Sequence, residues 1–336
     1  MKKILVTGGL GYIGSHTVVE LQSAGYDVVI IDNLENSSQE VKNRITNISG
    51  HPIELEVGDI NDEQIMNNLF KDHNFYGVIH FAAYKAVGES VEYPVKYYHN
   101  NITGLVGLLK AMDNHGVKNL IFSSSCTVYG EAEDLPVTEN TPIKSAESPY
   151  GTTKIIGEQI IQDYAKHKNL KTVLLRYFNP VGAHPSAEIG ELPNGIPSNL
   201  VPYITQTAAG IREQLVVYGD DYNTLDGTCV RDYIHVVDLA KAHVKAMAFA
   251  DSMTDQVEVF NVGTGHGSTV LEVVKAFEKQ CNIKLNYKIG PRRDGDVEQI
   301  FADTQKINNI LNWQAEYDIN DMMYHAWMWQ KNSSKK

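Results

Sequence analysis

Short runs of β-branched and aliphatic residues alternate with longer stretches of mixed polarity through the first half of the chain. Residues 3–7, 28–31, 53–57, 78–81, 120–124 and 172–178 are such runs. A strand that is apolar on successive residues is covered on both faces, so these six predict a parallel sheet between two layers of helices. The fold class expected is α/β, a doubly wound parallel (Rossmann) sheet. Sheets of this kind bind ligands at the carboxyl ends of their strands. Beyond residue 178 the pattern changes. Pro180, Pro185, Pro193 and Pro197, with Gly182, Gly190 and Gly195, mark residues 180–200 as a loop. A short strand is predicted at 216–218, a helix at 237–249 and a strand at 257–262. Thr269 and Glu272 match a capping box, opening a helix with Leu271, Val274 and Phe277 on one face. The division expected is 1–179 as the sheet domain and 180–336 as a smaller mixed α/β lobe, with some segments free to return to the main sheet. Only the tail at 333–336 reads as frayed.

Composition narrows the class. With 43% hydrophobic and 21% charged residues, the chain reads as an ordinary globule. No run approaches the ~18 apolar residues of a membrane span. The first strand begins at Lys3, which leaves no room for a signal peptide. A net charge of −12 argues against general nucleic-acid binding, which needs a basic face. It does not exclude an anionic ligand, because local donors outweigh a distant field. The three cysteines, Cys126, Cys229 and Cys281, are scattered and without CxxC spacing, and the twelve histidines show no ligand pattern. Neither a disulfide framework nor a metal site is expected, and a cytoplasmic location fits.

Gly8, Gly11 and Gly14 directly follow the first strand and open a helix. Glycines there allow a tight turn and close approach of a pyrophosphate to backbone N–H groups, at the positive end of the helix. A lone glycine pattern is weak; this one has the strand before and the helix after that it requires. The second strand ends in Asp32, eighteen residues past Gly14. A carboxylate there accepts the ribose hydroxyls and repels a 2′-phosphate, which predicts NAD rather than NADP. Asp59 follows the third strand, where adenine would lie.

Two Tyr-x-x-x-Lys pairs occur, Tyr150 with Lys154 and Tyr164 with Lys168, and with 18 tyrosines one match is expected by chance. Both fall on one predicted helix after Pro149. A helix that follows a parallel strand starts near the ligand edge and runs away from it, so Tyr150 is at the cleft and Tyr164 ~21 Å beyond. Ser123, Ser124 and Ser125 end the fifth strand at the same edge. Oxidising a carbinol requires its hydroxyl proton to leave with the hydride. A phenol titrating near 10 is a poor base at pH 7. Lowering it by about 3 pH units takes about 4 kcal/mol, within reach of two close cations, Lys154 and a positive nicotinamide.

The glycine loop, Asp32, Ser125 and Tyr150-x-x-x-Lys154 together resemble the extended short-chain dehydrogenase/reductase family. Longer strings at 7–15, 34–37, 85–90, 123–130, 175–185 and 226–236 resemble its UDP-hexose 4-epimerases, over residues 2 to 330. The resemblance implies a chain that interconverts UDP-galactose and UDP-glucose by transient oxidation at C4, with tightly held NAD. It implies Ser125, Tyr150 and Lys154 as catalytic. It implies NAD contacts from Tyr12, Ile13, Asn33, Ile60, Phe81, Ala82, Lys85, Asn100, Ser123 and Phe178, beside the glycines and aspartates already named. For the UDP-sugar it implies Asn179, Asn199 and Leu200, a uracil shelf at Val216 and Tyr218, and diphosphate clamps at Arg231 and Arg293. Without the resemblance, Arg231 next to Asp232 and Arg293 next to Asp294 also read as ordinary surface ion pairs. Tyrosinate would take the 4-hydroxyl proton, and the 4-keto sugar would turn about its link to UDP before re-reduction. Anchoring would then come from UDP rather than from the sugar.

The resemblance also places a size filter at Ile300, where a large tyrosine goes with plain hexoses and a small residue admits N-acetyl sugars. Branched Ile300 predicts UDP-glucose and UDP-galactose as the main substrates, with UDP-N-acetylglucosamine epimerisation the alternative. A 4,6-dehydratase of the same family needs an Asp-Glu pair after the strand-end Ser/Thr; here those places are Cys126 and Thr127, unsuited to that acid/base work. A homodimer is implied, through helices near 95–114 and 150–167, although Ile102, Leu105, Leu109, Ile156 and Ile160 could equally pack on the sheet.

Overall fold

The computed structural model describes residues 1–293 and 295–334. In chain order the strands are β1 (Lys3–Thr7), β2 (Asp27–Asp32), β3 (Glu54–Val57), β4 (Gly77–His80), β5 (Asn119–Ser123), β6 (Lys171–Tyr177), β7 (Asn179–Val181), β8 (Leu215–Tyr218), β9 (Val230–His235), β10 (Val257–Val262), β11 (Gly267–Thr269), β12 (Tyr287–Gly290) and β13 (Gln299–Ile300). The helices are α1 (Tyr12–Ser23), α2 (Glu40–Ser49), α3 (Glu63–Asp72), α4 (Val87–Glu92), α5 (Pro94–Tyr98), α6 (Gly104–Asn114), α7 (Pro149–His167), α8 (Leu200–Ala208), α9 (Val236–Phe249), α10 (Val270–Cys281), α11 (Gln305–Leu311) and α12 (Ile319–Ser333).

A seven-stranded sheet runs in the order β3-β2-β1-β4-β5-β6-β10, every pairing parallel. Alternate residues along each strand feed opposite cores. Ile4, Val6, Ile30, Ile79, Ile121 and Val173 face a layer with Val18 and Leu21 of α1 and Leu239 and Ala246 of α9. Leu5, Val29, Val78, Leu120 and Leu174 face Leu69 of α3, Leu105 and Leu109 of α6 and Ile161 of α7. The runs expected to be buried on both faces are so, with one exception. β3 is an edge strand, and Glu54, Glu56 and Val57 are exposed there.

Segments from beyond residue 180 return to this body, among them α9, in the layer with α1, and β10. β10 pairs with β6 from Val257↔Thr172 onward and completes the sheet. The remainder builds two smaller sheets, β11-β9-β13 with β7 against β9, and β12 with β8. Their core joins Leu215 and Val217 to Val273, Val274 and Phe277 of α10 and Met322 and Met323 of α12. The Thr269 capping box forms as expected, but Val273 takes the fully buried place expected of half-buried Leu271. The helix expected near 95–114 is three pieces, α5 and α6 joined by a π-helical turn at His99–Thr103. Of the tail, Ser333 is the last residue of α12, and Lys335 and Lys336 lie outside the described residues. Among the described residues no helix is long and apolar enough to cross a membrane.

Candidate active site

The turn from β1 into α1 is as tight as backbone permits. Gly8 takes φ +68°, and a Cβ on it would stand 2.9 Å from Ala82 N; one on Gly14 would stand 2.3 Å from the Gly8 carbonyl. Gly11 is the N-cap of α1, with no side-chain cap and no acidic residue in the first turn. The N–H groups of Tyr12, Ile13 and their neighbours are therefore donors at the positive end of the helix, as a pyrophosphate requires. Asp32 is held at the mouth: its Oδ2 accepts from Leu10 N at 2.9 Å, its Oδ1 from Leu34 N at 3.0 Å and Ser37 Oγ at 2.7 Å. Asn33 turns back to accept from Glu35 N at 3.1 Å. Asp59 accepts from the amide and side chain of Asn61, which reaches Asn100 Oδ1 at 3.4 Å; Ile60 is buried beside them. Ala82 N donates to Thr7 Oγ1 at 3.2 Å, and Phe81 packs on His243. Lys85 Nζ lies 3.1 Å from Glu191. These residues fit a dinucleotide with unphosphorylated ribose.

At the end of β5 three serines do different work. The Ser123 carbonyl accepts from Lys154 Nζ at 2.7 Å, and its hydroxyl pairs with Tyr177 at 2.5 Å. Ser124 donates to Glu158 at 2.5 Å. Ser125 N-caps the next turn, accepting from Thr127 N at 3.2 Å. Helix α7 starts at Pro149 with Ser148 as its cap, so Tyr150 sits in the first turn at this edge. Tyr150 and Lys154 are buried, with Lys154 Nζ 5.7 Å from the Tyr150 ring centroid. Tyr164, on the same helix, bonds the Leu109 carbonyl at 3.5 Å, and Lys168 pairs with Asp113 at 2.9 Å, away from the strand-end serines.

The electrostatics of the pair are governed by burial. Burial, foremost, and the nearby Tyr177 phenol push the Tyr150 phenol well above its ordinary value, while a hydrogen bond with Ser125 pulls it back. Burial lowers the Lys154 ammonium to about 8, opposed by the Glu158 carboxylate one turn along. Desolvation penalises both charged forms, so charge on the phenol has to be drawn out by a further cation.

Sequence reasoning missed the groups behind this edge. Glu158 and Arg176 form a bidentate pair at 2.9 and 2.6 Å, both almost wholly buried. Arg176 continues to Tyr129 at 3.2 Å, and Tyr129 to Asn261 at 2.6 Å, joining β6 to β10. His80 is buried between Thr7 Oγ1, at 2.8 Å, and the Phe122 ring. The one signal available was spacing, since Glu158 is four residues from Lys154 and so on the same helix face.

The residues expected to hold a UDP-sugar come from the smaller sheets and the loop before them. Asn179 starts β7 and pairs with Tyr233 of β9; Asn199 occupies the N-cap position of α8 without a side-chain capping bond, and the first residue of the helix is Leu200. Val216 and Tyr218 share β8, and the Arg293 guanidinium lies 5.8 Å from the Tyr218 ring. Arg231 does not pair with its neighbour Asp232, which is buried and accepts from Thr264, Gly265 and Ala302. Arg231 and Arg293 instead meet on Asp296, at 3.5 and 2.8 Å. Arg292 pairs with Asp221 at 2.7 Å, and Asp294 is outside the described residues. Ile300 faces Arg231 across β13 and β9 and is buried with Cys126 and Phe178. Burial pushes the Cys126 thiol up to about 12, so the position a dehydratase fills with an acid is inert here.

Residues 5–326 match the family described as GDP-mannose 4,6 dehydratase. The chain is 51% identical over 331 residues to a UDP-glucose 4-epimerase of Bacillus subtilis, spanning 98% of this chain and 97% of that one. It is similar to the crystal structure of a UDP-glucose-4-epimerase from Stenotrophomonas maltophila with bound NAD and formylated UDP-arabinopyranose: TM-score 0.97, 48% identity, 100% of this chain and 99% of that one. The Bifidobacterium longum UDP-glucose 4-epimerase in complex with NAD+ and UDP matches with a TM-score of 0.95 at 49% identity, over 99% of both chains. The chain thus belongs to the extended short-chain dehydrogenase/reductase family, on the branch of the UDP-glucose 4-epimerases.

Proposed function

We propose that the chain interconverts UDP-galactose and UDP-glucose by oxidation and re-reduction at C4, with Tyr150 as the acid/base. The observation that carries this reading is the placing of Tyr150, on the first turn of α7, with Lys154 tied to the Ser123 carbonyl at 2.7 Å. NAD, when bound by the glycine loop and Asp32, supplies the hydride acceptor and donor for C4 and, in its oxidised form, a positive ring.

Ser125 and Tyr150 hydrogen-bond the sugar's 4-hydroxyl, and Tyr150 takes its proton. Lys154 stabilises the phenolate that accepts this proton and thereby becomes the neutral phenol. Arg231 and Arg293 grip the diphosphate, Val216 and Tyr218 support uracil, and Asn179, Asn199 and Leu200 complete the nucleotide side. With the nucleotide anchored, the 4-keto sugar turns and presents its other face, and Tyr150 returns the proton to the new 4-hydroxyl. Binding energy is thus placed far from the reacting carbon, which leaves the hexose free to invert. Buried Ile300 limits the space near the sugar and favours plain hexoses.

The active form in this reading is a cytoplasmic homodimer. Val91, Val95 and Val106 are exposed on α4, α5 and α6, and Val95 is 78% exposed. By contrast Leu105 and Leu109, two of the residues considered for that interface, pack on the sheet. The function is tested by supplying UDP-galactose and measuring UDP-glucose with no NAD added. Conversion supports the reading, and a strict need for added NAD contradicts it.

A further inference from the structure

Glu191 follows the Ala183–Gly190 bridge, where the backbone is pinned. Trp329 Nε1 donates to its carbonyl at 2.9 Å, and a Cβ on Gly190 would stand 2.5 Å from the Trp329 ring. From this fixed base one oxygen of the Glu191 carboxylate accepts from two directions: Lys85 Nζ at 3.1 Å and Asn199 Nδ2 at 2.7 Å. The Glu191 side chain is 12% exposed. Lys85 belongs to the loop after β4, and Lys85 Nζ lies 5.7 Å from the ring of Tyr12 in the glycine loop. Asn199 belongs to the opposite side, at the start of α8.

A carboxylate that accepts from an amide –NH2 fixes which end of that amide faces which way, leaving Oδ1 as acceptor for other partners. The same carboxylate makes a charge-assisted bond to the ammonium. Moving either partner therefore disturbs the other. We propose that Glu191 is a positioning residue that couples the two halves of the site, so that a nucleotide held near Asn199 strengthens retention of NAD near Lys85. The inference rests on the assignment of Lys85 to the cofactor and Asn199 to the UDP-sugar made above. Such coupling is reciprocal, and NAD in place strengthens UDP binding by the same factor.

The test is the rate at which bound NAD exchanges with labelled free NAD, with and without saturating UDP. UDP slows exchange in the unaltered chain by at least about 5-fold. Glu191→Ala brings the ratio to about 1. Glu191→Gln keeps an oxygen for Lys85 without the charge and gives an intermediate ratio. If the alanine variant does not fold, the glutamine variant decides alone. A variant that keeps the full ratio, or an unaltered chain whose exchange ignores UDP, overturns the coupling while leaving the function standing. An unaltered chain that holds no NAD overturns both.

Discussion

Lys154 Nζ donates to the Ser123 carbonyl at 2.7 Å and so ties helix α7 to the last residue of β5. This bond decides where the Tyr150 phenol stands, one turn earlier on the same helix. It also costs solvation. Lys154 has a lowered affinity for its proton because it is buried, and the Glu158–Arg176 pair lies one turn further on. The site is therefore a set of poorly solvated groups held by the backbone, which is where perturbed proton affinities do chemical work.

Ile300 is buried against Cys126 and Phe178, and its replacement should trade stability for breadth. Ile300→Ala is expected to lose about 2–5 kcal/mol in urea unfolding. It is also expected to raise kcat/KM for UDP-N-acetylglucosamine relative to UDP-glucose by about 10-fold or more. The unaltered chain is expected to prefer the plain hexoses. Comparable turnover of both sugar pairs would contradict the role given to this residue.

Four histidines are buried within the described body: His16, His80, His235 and His243. Burial lowers His16 and His80 to about 3 and His243 to about 4. In the unfolded chain each takes a proton near pH 6.5. Below that value the unfolded state binds more protons than the folded one, so stability falls as pH falls. Buried Asp232 and Asp238, whose carboxyls are pushed up by burial, act in the opposite sense. A single replacement isolates the histidine contribution. His243→Gln is expected to reduce the loss of stability by up to about 1.4 kcal/mol per pH unit between pH 6.5 and 5. Urea unfolding at several pH values measures it, and equal slopes for the two proteins would refute it.

The glycine turn was legible because it is local. Gly8, Gly11 and Gly14 are required by a turn in which a Cβ on Gly14 would stand 2.3 Å from the Gly8 carbonyl. Tyr150 could be separated from Tyr164 by helix direction alone, and Tyr164 does lie against Leu109. What remained hidden depends on distant partners. Arg231 and Asp296 meet from β9 and the segment before β13, Glu191 meets Lys85 across 106 residues, and β10 rejoins the sheet after a long excursion. The upward push on the Tyr150 phenol was hidden for another reason: desolvation depends on packing, and no spacing rule reports it.

Exposed Val95 is the most direct probe of assembly. Val95→Glu places a charge among the exposed valines of α4, α5 and α6. Sedimentation velocity is expected to show a dimer for the unaltered chain and a monomer for the variant, since a buried unpaired charge disfavours association. A monomeric unaltered chain would contradict the homodimer.

The account turns on the proton carried by the Tyr150 hydroxyl. Tyr150→Phe keeps the ring, its packing and the helix start, and removes only that oxygen. The decisive measurement is the rate of UDP-galactose to UDP-glucose conversion by this variant, purified with its cofactor and shown to melt at the unaltered temperature. A fall of at least about 10²-fold is predicted, the usual scale for loss of a general base. Turnover within a few-fold of the unaltered chain would contradict the assignment of Tyr150 as the base.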